Sequence, residues 1–554
     1  MPRPQKVLLV APRFNGQSFW NFLDACEIFG AKIPSAPLGL ITVAALLPES
    51  WECRLINRNT EELTDADLDW ADMVMTGGML PQRPDTLYVI ALSQQRGKPV
   101  IVGGPDVTTS PEAYADADCR VLGEAEGIID SFIGAWDSGI RHGVFEAPKF
   151  QVDVTKTPVP RYDLLKRDQY LYLGVQFSRG CPFTCEFCDI IEIYGRVPRT
   201  KTKDQMLTEL DALYRIGYRG HVDFVDDNFI GNKKAVKAFL PHLISWQKAH
   251  GYPYKFSTEA SINLADDDAL LSLMREANFF TIFVGIESPD TDTLIAMQKK
   301  QNTRRSIAQG VHKIYAAGIF VNAGFILGFD TEKGSVAEAM VALIEDAAIP
   351  VCMVGLLYGL ASTQLARRLT REGRLFPSSY TEESGGDQCT AGLNFSTARP
   401  RREILLDYRN VLQQIYSPAA YFGRVRRMAL ALNCPDFTQV NADPQAKQPM
   451  RIGPVAISDL GLLSRLVWRL ARRPRSLWHF AKVFIECARR NPIALEYVGS
   501  SAALYLHLGR FSRFVMAHLD QQIRQIDAGE WHSPLGNLSN AIAVDANAGQ
   551  LEPA

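Results

Sequence analysis

The chain has 554 residues, 47% of them apolar and 22% charged, with a formal net charge of −2. That length exceeds what one hydrophobic core serves, so two or three domains are expected. The near-neutral balance gives no reason to expect nucleic-acid binding by the chain as a whole. The first apolar run soon meets Arg13, so the N-terminus does not read as a signal peptide.

Short β-branched runs begin at Lys6 (KVLLVAPRF), Glu52 (ECRLINRN), Asp72 (DMVMTGGM), Lys98 (KPVIVGGPDV) and Asp118 (DCRVLGEAE). Between them, sets such as Leu38, Ile41, Ala45 and Thr86, Val89, Ile90 carry helical spacing. Alternating strands and helices with short loops predict an α/β unit over residues 1–135. It is of the flavodoxin-like doubly wound type, with its ligand at the carboxyl ends of the strands. Several of those ends hold glycine: Gly77-Gly78, Gly103-Gly104-Pro105 and Gly123. Glycine there lets backbone approach a large flat ligand, and ordinary loop glycine is the competing reading. Residues 136–170, with KTPVPRYDLL, are expected to run extended as a linker.

Over 171–373 the alternation resumes with a longer period. Strands are predicted at LGVQFSRG (173), HVDFVDDNF (221), KFSTEASI (255), TIFVGIES (281), FVNAGFILGF (320) and VCMVGLLY (351). Helices are predicted over Lys203–Ile216, Lys233–Ala249, Asp266–Ala277, Arg304–Ala317 and Ser335–Ala347. Six β/α units make a partial barrel whose chemistry sits at the carboxyl ends of its strands. The uncharged stretch Ala347 to Ala366 contains Pro350, Gly355 and Gly359, and is read as a barrel strand and loop rather than a membrane span. Residues 374–536 are expected to be mainly helical. From Arg451 to Arg490, Lys and Arg far outnumber Asp459 and Glu486. Trp468, Trp478, Leu466, Leu470, Leu477, Phe480 and Phe484 interleave with them, which fits a helix lying on anionic lipid or one packed on the barrel with a solvated basic face. The tail 537–554 is small and polar and is expected to be disordered.

Ten cysteines in a leaderless chain argue for a reducing compartment. Seven stand singly. The other three, Cys181, Cys185 and Cys188, form Cys-x3-Cys-x2-Cys in SRGCPFTCEFCDI, just after a predicted strand. A closed zinc site needs a fourth ligand, and no His or Cys lies between Cys188 and His221. Three thiolates suit a [4Fe–4S] cluster with one open iron, which binds S-adenosylmethionine (SAM) and passes an electron into its sulfonium. Gly180 and Pro182 shape the loop, and Phe187 offers an aromatic face for adenine.

Residues 170–370 resemble the radical SAM superfamily, and the unit before them resembles the cobalamin-binding domains of its B12-dependent branch. FVDDNFIGN (224–232), YGRVPRTKT (194–202) and IFVGIESP (282–289) are similar to the subgroup that contains the hopanoid C-2 methylases. The resemblance implies SAM contacts at Asp226, Glu259, Ser261 and Glu287. Asp227 and Asn228 follow the same strand, with a helix N-cap as their alternative role. GFILGFDTE (324–332) matches a family element at Gly324, Ile326 and Gly328, but its Glu position is Thr331, so Glu332 receives no role. The implied cobalamin contacts are Leu38, Gly39, Gly78, Gly104, Pro105 and Glu124. The loop after the first strand reads APRFNGQSF, and no histidine precedes His142, so that unit has no histidine for the lower face of cobalt. The resembling methylases lack it too.

The expectation is a cobalamin-dependent radical SAM methyltransferase acting on an unactivated sp3 carbon through methylcobalamin and a 5′-deoxyadenosyl radical. Its substrate is a small molecule or a lipid such as a hopanoid. The alternatives are a cyclase or rearrangement enzyme with the same cofactors, and a sensor with no substrate. An external electron donor of flavodoxin or ferredoxin type is implied. A cytoplasmic location is expected, with peripheral contact to the inner face of the membrane through residues 451–490.

Overall fold

The computed structural model describes residues 4–377, 388–434, 451–452 and 455–536; the tail 537–554, expected to be disordered, lies outside the described residues. Strands β1 (Lys6–Ala11), β3 (Glu52–Asn57), β4 (Met73–Gly77), β5 (Val100–Gly103), β6 (Cys119–Leu122) and β7 (Gly143–Glu146) form one sheet, in the order β3-β1-β4-β5-β6-β7. Every pairing is parallel. Its first five positions follow the flavodoxin-like order 2-1-3-4-5. The residues of β1 alternate between two cores, Val7 and Leu9 on one face and Leu8 and Val10 on the other, so helices cover the sheet on both sides.

The sixth strand differs from expectation. β7 lies inside the stretch expected to be an extended linker, and its residues are mostly exposed, which is why no hydrophobic run marks it. A second difference is β2 (Ile33–Ser35). It leaves the first unit and pairs in parallel with β8 (Tyr170–Val175), Ile33 opposite Tyr170.

The second sheet runs β15-β14-β13-β12-β11-β8-β2, all parallel. Besides β8 and β2 it contains β11 (Gly220–Phe224), β12 (Tyr254–Glu259), β13 (Phe279–Glu287), β14 (Phe320–Leu327) and β15 (Cys352–Leu356). These are the six predicted strands plus one edge strand from the N-terminal region. Its helix-side face is a continuous apolar core that includes Leu173, Val222, Phe224, Phe256, Ile282, Val321 and Phe325. A minor antiparallel pair, β9 (Ser178–Arg179) with β10 (Arg199–Thr200), brackets the three cysteines.

Beyond the half-barrel, helices Arg401–Ile415, Pro418–Ala431, Ile457–Ala471, Pro474–Arg490 and Leu495–Asp527 pack on one another and on helix Leu23–Phe29. Among the described residues, no helix is long and apolar enough to cross a membrane.

Candidate functional site

The site begins with how the three-cysteine loop is held. Buried Asp226, just past β11, accepts hydrogen bonds from Phe177 N (3.0 Å) and from Ser178 N and Oγ (2.5 Å each). Both its oxygens are thus engaged in turning the chain out of β8. Burial pushes its carboxyl up to about 7 even against those donors. Gly180 has φ +96, and a Cβ there would lie 2.9 Å from the Gly195 carbonyl oxygen, so only glycine fits. Cys181 N donates to that same carbonyl at 3.2 Å.

The three thiols are free. Among the described residues no three His, Cys, Asp or Glu converge where a single metal ion would sit. A cubane makes no such demand, since each thiolate takes a separate iron. Amide donors do face the sulfurs: Asn228 Nδ2 is 3.9 Å from Cys181 Sγ, and Gln301 Nε2 is 3.7 Å from Cys185 Sγ. Burial raises the Cys181 thiol and raises that of Cys188 much further. Thiols that water ionises poorly become thiolates when iron replaces the proton. The donor set therefore fits a cluster.

The half-barrel adds carboxylates at its carboxyl edge. Glu259 ends β12 and is solvent-exposed inside the hollow, yet protein around it pushes its carboxyl up to about 8. Desolvation is the main cause, followed by Asp227, Asp223 and Glu287. Asp227, beside the loop, rises to about 6, chiefly by desolvation. Asn228 does not cap the next helix. Its Nδ2 reaches Ser261 Oγ at 3.2 Å and its Oδ1 accepts from Ser261 N at 3.3 Å, while Asn232 caps helix Lys233–Ala249. Asn228 thereby ties Cys181 to Ser261.

Glu287 ends β13 at φ +70, a conformation most side chains avoid, next to a register shift in the ladder. It forms a buried ion pair with Lys299, whose Nζ also stands 5.7 Å over the Phe187 ring and feels the charges of Cys185 and Cys188. A Cβ on Gly285 would strike this pair, so glycine makes room for it. Asn302 then donates to the Gly285 and Ile286 carbonyls at 3.0 Å each. Lys299, Gln301 and Asn302 were not anticipated from the sequence, where MQKKQN looks like any solvated polar turn. Glu332, left without a role, accepts from Gly328 N and Phe329 N and pairs with Arg399, a structural duty.

The hollow continues inward along the face opposite the helices. Tyr172, His221, Asp223 and Ser257 make a polar patch there. His221 bonds Ser257 Oγ at 2.6 Å, Ser257 donates to Asp223, and the Tyr172 ring is 4.8 Å from the imidazole. Burial drives His221 down to about 3, so it is neutral. Further round, Trp20 packs against Phe283 at 5.5 Å and gives the hollow an aromatic wall.

The carboxyl edge of the N-terminal sheet faces this mouth. Arg179, two residues before Cys181, pairs with Glu124 (3.0 Å) and Glu126 (2.7 Å), and Arg199 pairs with Glu124 at 2.8 Å. Glu124, an expected cobalamin contact, bonds both arginines through its two oxygens and so supplies them with a buried counter-charge at this edge. Gly78, Gly104 and Pro105 do come together. A Cβ on Gly104, at φ +101, would lie 3.4 Å from Gly78 N, and Asp106 N donates to Gly78 O. Arg83 and Tyr114 clamp Asp106 behind them. Leu38 packs towards Gly174 of β8 at the seam between the sheets, and a Cβ on Gly39 would meet nothing within 4 Å. A flat glycine ledge open to a partner fits a corrin.

A family model for the radical SAM superfamily matches residues 175–344, one for a B12 binding domain matches 31–133, and one for a domain of unknown function matches 363–521. An uncharacterized methyltransferase of Synechocystis sp. is 40% identical over 94% of each chain. The hopanoid C-2 methylase of Rhodopseudomonas palustris is 37% identical over 76% of this chain and 78% of its own. The cobalamin-dependent S-adenosylmethionine radical enzyme OxsB, solved with aqua-cobalamin bound, superposes with a TM-score of 0.57 at 15% identity, covering 98% of this chain and 83% of its own.

Proposed function

The chain belongs to the B12-binding radical SAM family, and from that premise we propose that it methylates an unactivated sp3 carbon of a polycyclic lipid, a hopanoid or a close relative. It is a cobalamin-dependent radical SAM methyltransferase whose cofactors are a [4Fe–4S] cluster, SAM and cobalamin. When bound, these groups supply reductive C–S cleavage of SAM and methyl transfer to carbon.

The protein's part is to hold, orient and exclude. Cys181, Cys185 and Cys188 hold three irons, while Asn228 and Gln301 aim amide donors at two of the sulfurs. Glu259, Ser261 and Glu287 receive the polar ends of SAM, with Phe187 beside its ring system. Asp226 acts one step back, by shaping the loop. Leu38, Gly39, Gly78, Gly104, Pro105 and Glu124 would line the cobalamin. An electron donor of flavodoxin or ferredoxin type supplies the electron.

The observation that carries the reading is the bridge from Glu124 and Glu126 to Arg179 and Arg199, because it ties the carboxyl edge of the first sheet to the strand pair that brackets the three cysteines. Support for a lipid comes from the relative of Rhodopseudomonas palustris, a hopanoid C-2 methylase, and from the Trp20–Phe283 wall. The test supplies reconstituted, reduced enzyme with SAM bearing a deuterated methyl group and with a hopanoid. The expected product has one hydrogen replaced by a CD3 group, with all three deuterons retained. Formation of 5′-deoxyadenosine with no carbon added to any product would overturn methylation in favour of rearrangement or cyclisation. A label that lands only on another metabolite class would overturn the lipid.

A further inference from the structure

The basic C-terminal helices satisfy both sequence expectations at once, on opposite faces. Inward, Leu466, Leu470, Phe480, Val483 and Cys487 are buried. Outward, helix Pro474–Arg490 presents Arg475, Trp478, Lys482, Ile485 and Arg489, every one exposed and spaced by three or four residues. Trp478 is 65% exposed and Ile485 51%. Helix Ile457–Ala471 adds Val467 and Trp468, the latter 59% exposed with the Arg472 guanidinium 3.9 Å over its ring. The stripe carries no negative charge, since the nearby acid Glu486 is taken by Arg426 and Arg490.

Large aromatic and branched side chains held in water between arginines and lysines are costly unless something covers them. Their chemistry selects the cover. Tryptophan and isoleucine settle at the boundary between headgroups and acyl chains, and the basic residues lie on anionic headgroups. A neutral or basic protein surface would leave those charges opposed or unpaired.

We propose that these two helices dock the enzyme on an anionic lipid bilayer, lying in its interface without crossing it. The docking surface stands on its own residues and goes beyond the methyl-transfer reading. Its position also bears on substrate entry, and that part rests on the lipid reading. Arg469 pairs with Asp24 and Glu27 of helix Leu23–Phe29, and the segment just before that helix carries Trp20 into the hollow against Phe283. A lipid leaving the bilayer at this face would meet the aromatic wall.

Flotation of the full-length protein tests the proposal, with vesicles of phosphatidylcholine alone and with vesicles containing phosphatidylglycerol. Binding is expected to the anionic vesicles and to weaken with salt. R475E/K482E/R489E should lower the partition roughly a hundredfold, from about 1 kcal/mol for each basic residue at the surface. W468A/W478A should also weaken binding, and circular dichroism matching the parent keeps both results interpretable. No flotation with anionic vesicles, or equal binding by parent and triple variant, would overturn the docking. So would a dimer that the same triple variant breaks, since a second copy would then be the cover. Vesicle binding without methyl transfer to lipid removes only the substrate reading. Methyl transfer to lipid in detergent without vesicle binding removes only the docking.

Discussion

At the carboxyl edge of the N-terminal sheet the ground is backbone: Gly78 and Gly104 lie against one another, and the carboxylates nearby, Asp106 and Glu124, are consumed by arginines. Across the gap, the edge of the half-barrel is built of side chains, with three thiols, Glu259 rising to about 8, and the Glu287–Lys299 pair. The first edge distinguishes ligands by shape and the second by charge. Substitutions should therefore fail for different reasons on the two sides, by size at the ledge and by chemistry at the mouth.

The largest effect belongs to the mouth. Replacing Cys181, Cys185 or Cys188 with Ala, or even with near-isosteric Ser, should remove most cluster iron and all 5′-deoxyadenosine formation. Among the described residues, no neighbouring Cys or His is placed to substitute. Iron analysis and product chromatography check this, and full iron in any single variant would dissolve the contrast.

Next comes the buried pair. K299M leaves the Glu287 carboxylate unpaired where side-chain exposure is only 8%. A loss of about 3–5 kcal/mol in unfolding free energy is expected by denaturant titration. E287Q/K299M should regain much of that stability without regaining SAM cleavage, which separates structural pairing from the chemistry of the mouth.

At the ledge, G104V should weaken cobalamin retention while leaving cluster iron unchanged. A side chain at φ +101 costs roughly 1–3 kcal/mol before any clash with the ligand. G78V should also weaken retention, and since its Cβ would press on the Gln82 side chain, which bonds Met79 N and Pro12 O, part of its cost falls on the fold. Cobalamin absorbance after gel filtration, beside iron content, reads both.

The smallest effect is a pH dependence. Glu259 must ionise to pair with cationic SAM, so SAM affinity should rise as pH climbs through about 8, and E259Q should flatten that rise. Stability of the unliganded protein should run the other way. A carboxyl raised from 4.5 to about 8 by folding contributes most below 4.5, and loses that contribution as pH rises through about 8. Calorimetric SAM titrations and thermal melts across that window measure both signs.

Much of this was legible in the chain itself, wherever the signal was local. All six barrel strands show as apolar runs alternating with helical segments, and the cysteine spacing points to a cluster unaided. What escaped was non-local or disguised. β2 is three residues, Ile33-Pro34-Ser35, whose partner Tyr170 lies far along the chain, so no periodicity exposes it. Lys299 reads as a surface charge because sequence carries no burial, and only Glu287 at the far end of the same strand–turn unit makes that burial tolerable. The arginine partners of Glu124 escaped for the same reason, since they sit in another unit.

The short strand β2 has a consequence for how the two lobes come apart. The chain enters the first sheet with β1, stitches itself into the second with β2, and returns for β3. A fragment cut near residue 135 would carry a torn seam, and the remaining half-barrel would expose the β8 edge that Ile33–Ser35 had covered. Heating or denaturant should therefore melt both lobes in one transition. The distance between ledge and mouth is then a property of the weave, set at folding rather than opened and closed by a hinge in each turnover.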